Sequence, residues 1–374
     1  MERAGRTPSG AIRDPDLEAL AERPGPFATV WTGRSGVGRW GEQADDARAT
    51  DVRSDLAAAG APEHVIRAVS DALEQLPADA EGAVVVADEQ GIALVEPLPD
   101  RPRAERAVWA ALPALAPVVE HRQANVPSLI VLADRAGADI IVTGSDGETT
   151  VVDVEGEDSP ITKSAPGGWS QRRFQQRVED SWEHNARAVV DRVRELADRV
   201  APELLVLGGD ERAVELVSKA LPAELRELTR IITPGRAADG SDAHRDAEVA
   251  RLVRTAVAER TVELLRTFEQ EDGRGARAAN GVGETFSALQ QSQVDVLLVH
   301  DDGSDERTAW FAADPGIVAV DEAELAAFGV AEPRRGRLLD VAVNAALRTG
   351  ASVRVVPAAA ALHDSVAAIL RWSP

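Results

Sequence analysis

Every long apolar run in this chain is the size of a β-strand. AVVVAD (Ala83–Asp88), IALVE (Ile92–Glu96), LIVLA (Leu129–Ala133), DIIVT (Asp139–Thr143) and Leu204–Leu207 are each bounded by turn residues or charges. No window approaches the roughly 20 uninterrupted apolar residues that a membrane span requires. Between these runs lie stretches of helical composition and spacing. Short buried strands alternating with helices imply an α/β architecture whose sheets are covered by helices.

The chain has 374 residues, more than one hydrophobic core ordinarily supports, and 44% of them are apolar. Several domains are therefore expected. The N-terminal domain, residues 1–123, reads as a strand at Phe27–Thr32, helices at Ala44–Ala59 and Pro62–Leu76, and a hairpin of Ala83–Asp88 with Ile92–Glu96 turned at Glu89–Gly91. A segment punctuated by Pro97, Pro99, Pro102, Pro113 and Pro117 closes it.

The middle domain, residues 124–271, opens with a hairpin, Leu129–Ala133 and Asp139–Thr143, and a third strand at Thr149–Val154. A helix from about Ser170 to Val200 follows, then a strand at Leu204–Leu207 and the turn Gly208-Gly209-Asp210. A helix at Glu211–Ala220, a strand near Leu228–Ile232 and a helix at Asp246–Phe268 complete the domain. Hairpins first and β/α alternation afterwards predict a mixed sheet with packed helices. The C-terminal domain, residues 272–374, begins after a turn-rich stretch, Gly273–Gly283. It reads as an α/β/α layer with strands at Val296–His300, Ala309–Ala312 and Ser352–Val356. Its helices are expected at Glu284–Ser292, Glu322–Phe328, Leu338–Arg348 and, last, Leu362–Leu370.

Composition removes several chemistries. There is no cysteine, hence no disulfide, thiolate catalysis, zinc knuckle or iron–sulfur cluster. The six histidines are scattered, and the nearest approach to a ligand cluster, Asp242, His244 and Asp246, reads as a solvated helix entrance, so no metal and no cofactor is expected. Met1–Asp16 lacks the apolar segment of a secretory signal, so a cytoplasmic protein is expected. GRSGVG at Gly33–Gly38 has neither dinucleotide nor Walker spacing. Gly208-Gly209-Asp210 is the ordinary handover from strand to helix, with Asp210 as N-cap.

The net charge of −22 argues against non-specific coating of nucleic acid. One segment reverses that sign. KSAPGGWSQRRFQQR, Lys163–Arg177, carries four cations and no anion in a chain where acids outnumber bases 63 to 41. Ser170 suits an N-cap, yet Arg172 and Arg173 follow in the first turn, where positive charge opposes the macrodipole by about 0.3–1 kcal/mol each. The helix then shows an apolar stripe of Phe174, Val178, Trp182, Val189, Val193, Leu196 and Val200. Its N-terminal end, with Arg172, Arg173, Gln175, Gln176 and Arg177, suits an anion such as an RNA phosphate. Gly167 and Gly168 permit close backbone approach, and Trp169 offers a stacking face. A small-molecule-binding α/β protein would instead need a pocket near Gly208–Asp210.

The run Gly167-Gly168-Trp169-Ser170-Gln171-Arg172-Arg173-Phe174-Gln175 before a long helix resembles the central loop of bacterial relatives of the archaeo-eukaryotic release factors and Pelota. VDVLLVH from Val294, TGASVRVVP from Thr349 and AAILRW from Ala367 are similar to the ribosomal-protein-like C-terminal domain of that superfamily. The resemblance covers essentially the whole chain. It implies three α/β domains, a ribosome-bound protein and a loop aimed at the peptidyl transferase centre. It also implies RNA contacts at Lys163, Gly167, Gly168, Trp169, Ser170, Arg172, Arg173, Gln175 and Arg177.

In those factors a glutamine directly follows the glycine pair, whereas here Trp169 and Ser170 intervene before Gln171. Two readings follow from the resemblance. The first is a non-catalytic factor like the hibernation factor Balon, occupying the A site and associating with elongation factor Tu or another translational GTPase. The second is a peptidyl-tRNA hydrolase of the Vms1/ANKZF1 type, with Gln171 as its catalytic residue. Further basic contacts are expected at Arg334, Arg335 and Arg337.

Overall fold

The computed structural model describes residues 14–34, 39–155, 168–232 and 241–373 apart from 79, 103, 104, 146, 315 and 361; at 39–43, 168–181 and 241–243 it describes the backbone alone. The chain forms two compact units. The first joins residues 1–123 to 261–374, and the second is residues 124–260.

The first unit opens with α1 (Pro15–Glu22), which the sequence reading left without structure. Asp14 caps it by accepting from the Asp16 and Leu17 amides, and Pro15 occupies the first turn, where its missing N–H costs nothing. Then come β1 (Phe27–Gly33), α2 (Arg39–Ala58), α3 (Glu63–Glu74), β2 (Gly82–Asp88), β3 (Gly91–Leu98), β4 (Arg106–Ala110) and α4 (Ala116–Gln123). The predicted hairpin is β2–β3, and β1 lies between β2 and β4 in an antiparallel sheet of order β3-β2-β1-β4. Both central strands are buried on both faces, which explains their unbroken apolar composition. Val30, Val85 and Ala87 face α2 and α3, while Phe27, Trp31, Val84 and Val86 face a core shared with the C-terminal part. The proline-rich segment hides β4 and α4, both missed in the sequence: β4 lies between Pro102 and Pro113, and α4 carries Pro117 in its first turn, where proline is tolerated.

The second unit comprises β5 (Ser128–Ala133), β6 (Gly137–Thr143), β7 (Thr149–Glu155), α5 (Gly168–Val200), β8 (Leu204–Gly209), α6 (Glu211–Ala220), α7 (Ala223–Glu227) and β9 (Thr229–Ile231). Its sheet, β7-β6-β5-β8-β9, is antiparallel among the first three strands and parallel thereafter, the predicted mixed sheet. Period-two alternation divides its faces. Leu129, Val131, Leu205 and Leu207 pack under α5 and α6, whereas Leu204 and Val206 pack with Val249, Leu252 and Val253 of α8 (Ser241–Gly273).

The first unit resumes in the last turns of α8, with Leu264 and Phe268 packed on its second large sheet. There follow β10 (Ala278–Asn280), α9 (Val282–Gln290), β11 (Val294–Val299), β12 (Thr308–Phe311), β13 (Val318–Ala319), α10 (Glu322–Ala327), β14 (Arg334–Arg337), α11 (Leu338–Arg348), β15 (Ser352–Val355) and β16 (Val366–Leu370). One sheet has the order β10-β16-β11-β15, and a smaller one the order β13-β12-β14. The turn-rich stretch 273–283 thus also contributes a strand, β10.

The helix expected at Leu362–Leu370 is not there. Val366–Leu370 is a strand, hydrogen-bonded to β10 on one side and β11 on the other. All five residues are buried, so the segment has no polar face for a surface helix, and inter-strand pairing overrides the helix propensity of its alanines. Asp364 and Ser365 just before it adopt positive φ angles of 55° and 63°, a conformation no right-handed helix continues through. Among the described residues no helix is long and apolar enough to cross a membrane.

Two buried amides tie the halves of the first unit together. The Gln123 side chain, at the end of α4, donates to the Val355 carbonyl (2.7 Å) and accepts from the Val355 N–H (2.9 Å) on the edge strand β15. Asn344 on α11 donates to the carbonyls of Pro113 (2.9 Å) and Asp340 (2.7 Å). Gln123→Ala would strand two buried backbone groups, so a loss of about 2–4 kcal/mol in urea unfolding is expected. Gln123→Glu would set a carboxylate oxygen against the Val355 carbonyl in a buried site and is expected to destabilise as well, more at pH 7 than at low pH.

Asp340 is buried in the first turn of α11, and its Oδ1 has no hydrogen-bond partner among the described residues. Burial pushes its carboxyl up to about 7, against the opposing pull of Arg337 at 3.8 Å. Between the ordinary aspartate range and about 7, the folded protein holds a proton that the unfolded chain has released. Stability therefore falls as pH rises through that window and levels off above it. Asp340→Asn should remove this slope, so its advantage over the wild type in urea unfolding should be larger at about pH 8 than at about pH 4.5.

Candidate functional site

The long helix α5 has 33 residues, about 50 Å of rod. From Trp182 onward its packing is described. Ala186, Val189, Val190, Val193 and Leu196 are buried on the sheet, with Trp182 and Val200 partly so. This is the predicted stripe, with Ala186 and Val190 added to it. The buried Asn185 side chain donates to the Arg135 carbonyl at 2.8 Å, fixing the helix to the β5–β6 turn. Arg212, second residue of α6, lies over the Trp182 ring with its guanidinium carbon 5.4 Å from the centroid. Such a contact contributes about 0.5–1 kcal/mol where exposed.

The N-terminal part of α5 carries the predicted site. Lys163 and Gly167 lie outside the described residues, as do the side chains of Trp169, Ser170, Gln171, Arg172, Arg173, Phe174, Gln175, Arg177 and Val178. The backbone of Gly168 onward is helical, two residues earlier than expected. Ser170 is therefore the third helical residue rather than the N-cap. A glycine at a helix end costs little, and such ends shift by a residue or two. Arg172 and Arg173 consequently fall in the second turn, where the macrodipole penalty is smaller than in the first. Arg172 stands ten residues before Trp182, roughly 15 Å along the axis.

At the other end of the α5–β8 unit, the Gly208-Gly209-Asp210 turn behaves as expected. Gly209 has a φ of 113°, and a Cβ there would lie 2.0 Å from the Ala133 carbonyl oxygen, so only glycine lets β8 pass this close to β5. Asp210 caps α6, accepting from the Arg212 (2.9 Å) and Ala213 (3.2 Å) amides. A cavity of about 550 Å3 does adjoin this turn. Asp134, Asp139, Asp153, Glu155 and Asp210 line it against one cation, Arg245, which suits no phosphate or other anion. Asp134 and Asp210 are moreover already bonded to local amides. Asp134 and Asp210 thus serve the turns that they stand in.

Other candidates also settle into structural roles. Asp242, His244 and Asp246 all lie inside α8, where alternate residues diverge around the helix; the side chain of Asp242 lies outside the described residues. Gly33 donates its N–H to Glu105 at 3.3 Å, so the amide a phosphate would use already meets a carboxylate; Gly36 and Gly38 lie outside the described residues. Of the three arginines on β14, Arg337 is a correction. Its side chain is 8% exposed and bound to Asp301 at 2.6 Å, hence unavailable to RNA. Arg334 stacks over Phe311, and Arg335 donates to Thr308 Oγ1; both are exposed. Sequence reading missed the Trp182–Arg212 stack, because nothing in the order of residues brings positions 182 and 212 together.

Residues 127–274 match the model of bacterial archaeo-eukaryotic release factor family 2. Over that segment, less than half of the chain, the sequence is similar to this family. The match spans the mixed sheet, α5 and all of α8. Over its length the chain is also similar to the uncharacterized proteins Rv2629 and MT2704 of two Mycobacterium tuberculosis strains, H37Rv and CDC 1551, at 27% identity and 97% coverage of both chains in each case. Among solved structures it is similar to ribosome-bound archaeal Pelota with ABCE1 (14% identity, 98% of this chain and 95% of that one, TM-score 0.41). Archaeoglobus fulgidus Pelota (13%, 100% and 98%, 0.37) and the archaeal termination factor aRF1 (16%, 96% and 96%, 0.25) are further matches. At these scores the structural matches transfer no residue and no activity.

The cap at the head of α6 can be tested directly. Asp210→Ala should cost about 1 kcal/mol in chemical unfolding, and Asp210→Asn, which keeps the accepting oxygen, only a few tenths.

Proposed function

We propose that this protein is a ribosome-associated translation factor of the release factor/Pelota superfamily. It binds the A site with the Gly167–Arg173 segment directed towards the peptidyl transferase centre, in hibernation or rescue. The observation that carries this reading is the family match over residues 127–274, which contains the segment where the chain's charge changes sign. Lys163, Arg172, Arg173 and Arg177 supply phosphate contacts. Trp169 stacks on a base or ribose, Gln175 and Ser170 donate hydrogen bonds, and Gly167 and Gly168 admit the RNA backbone. Elongation factor Tu or another translational GTPase is the proposed protein partner.

A net charge of −22 repels RNA, so binding must be confined to local basic surface. That makes the reading sharply testable. Purified protein should co-sediment with vacant bacterial 70S ribosomes in a salt-sensitive manner. Arg172→Glu/Arg173→Glu should lose most of that binding and flatten the salt dependence by roughly two units of log–log slope. Wild-type and doubly substituted protein binding alike would overturn the assignment of the site. Gln171→Ala tests the catalytic alternative. A variant that binds normally but no longer cleaves peptidyl-tRNA assigns the reaction to Gln171, and a wild type without cleavage leaves a ribosome-occupying factor.

A further inference from the structure

A strand at the end of a sheet presents unpaired N–H and C=O groups, and proteins blunt such edges with short strands, prolines, basic side chains or bulges, or cover them. Among the described strands most edges are treated in this way. β9 and β10 have three residues each and β13 two, and β14 carries three arginines. β3 contains Pro97 and breaks register with β2 at Val86/Ala87. β4 is half-buried along its length, and Gln123 closes β15. The edge strand β7 has none of these devices. Its seven residues, Thr149–Glu155, keep unbroken register with β6 and include neither proline nor a basic residue. Thr149, Thr150, Val151, Val152 and Val154 are β-branched, which favours an extended backbone.

The Gly144 N–H donates to the Glu148 carbonyl at 3.0 Å, and alternation from that pair gives the ladder bonds to Thr150, Val152 and Val154. The N–H and C=O groups of Thr149, Val151, Asp153 and Glu155 therefore point away from the sheet. Their side chains share the face opposite α5, since Val152 and Val154 pack into the core beneath that helix. On this face Val151 is 68% exposed and stands directly opposite Ile141, which stands opposite Ile130. An apolar row thus crosses three strands and ends uncovered at the free edge. Beside it, Asp153 stands directly opposite Asp139, a cross-strand placement in which like charges repel. Asp139, Asp153 and Glu155 are exposed, and none has a cation partner among the described residues. All three line the acidic cavity beside Gly209, whose one arginine, Arg245, is paired with Asp246.

An open edge of this length fits another extended strand, and the charge beside it selects which one. A second copy of the chain would bring its own Asp153 and Glu155 and a net charge of −22 to the contact, so charge opposes self-pairing. We propose that β7 takes up an extended basic peptide as a sixth strand of this sheet. An apolar side chain of the peptide covers Val151 and Ile141, and lysine or arginine side chains at alternate positions lie over Asp153 and Glu155. The cation over Asp153 also meets Asp139, turning one repulsive pair into two attractive contacts. Main-chain bonds to Val151 and Asp153 supply affinity, and the alternating side chains supply selectivity. This surface lies on β6 and β7, rests on no reading of residues 163–177 and is tested without ribosomes.

The probe is a fluorescein-labelled peptide, Lys-Thr-Lys-Thr-Val-Thr-Val with an amidated C-terminus, titrated with the full chain at constant ionic strength and followed by anisotropy. Paired antiparallel, its lysines fall opposite Glu155 and Asp153 and its first valine opposite Val151. The lysine and valine amides then face β7, and the threonine amides face away. N-methylation of the central lysine and first valine amides should weaken binding at least about tenfold, whereas N-methylation of the threonine amides should leave it intact. Val151→Pro removes an outward donor without touching the β6 ladder and should weaken binding about tenfold, as should Asp153→Asn/Glu155→Gln. No binding at millimolar concentration, equal affinity for the two methylated peptides, or equal affinity of wild type and Val151→Pro would overturn the proposal. A wild-type dimer in sedimentation velocity that Val151→Pro dissociates would overturn it too, giving the edge to a second copy. Should Val151→Pro fail to fold, the two methylated peptides on the wild type decide the matter.

Discussion

The pair of hydrogen bonds between Gln123 and Val355 is where the first unit becomes one body. An edge strand buried under another segment must have its outward N–H and C=O satisfied, and β15 is such an edge. A primary amide offers both a donor and an acceptor, so one side chain closes the edge where a second strand would otherwise be needed. Gln123 and Val355 stand 232 residues apart in sequence, and Asn344 and Pro113 are 231 apart. Between those contacts the chain makes the whole second unit. The shared core, with Phe27, Trp31 and Leu115 on one side and Phe286, Leu339 and Val353 on the other, supplies the apolar energy. The amides make it specific, because a shifted docking would leave their polar atoms buried without partners.

Much of the fold was legible because the residues state their own burial. AVVVAD and LIVLA have no polar alternation and become strands covered on both faces or in a sheet centre. Asp210 after a glycine pair announces a helix start, and the helix starts there. What failed did so through tertiary pairing. VAAIL has helix-compatible residues and becomes the strand between β10 and β11, since only its neighbours, far away in sequence, reveal that all five side chains are enclosed. The helix α1 was missed although Asp14-Pro15 is a sound start signal, because eight residues are too short to show a helical period. Within the candidate site, charge reversal and helix amphipathicity were readable, whereas the Trp182–Arg212 stack depends on a chain crossing that no local pattern encodes.

The two faces of α5 illustrate how a strongly acidic protein can keep one basic element. From Ala186 to Leu196 the helix is fixed by side chains interlocked with a five-stranded sheet, and its outward cations are neutralised locally, Arg187 by Glu183 and Arg192 by Glu195. Such exposed pairs contribute little stability, but they cancel charge along the body of the rod. The sequence from Lys163 to Arg177 contains no acid to do the same. In sequence, charge is thus sorted along one helix, with locally paired cations along its packed body and a run of cations without an intervening acid before it.

The position of β16 has a consequence for how the protein comes into being. Its neighbours β10 and β11 do not pair with each other; each is bonded to a strand that follows them by some seventy residues or more. While the chain is being synthesised, β10 must wait without its partner, and β11 has only β15 beside it, until Leu370 has emerged. The first unit is then the last to close, although its N-terminal half is made first. The inserted second unit, whose strands all lie within residues 128–231, can fold while that half is still waiting.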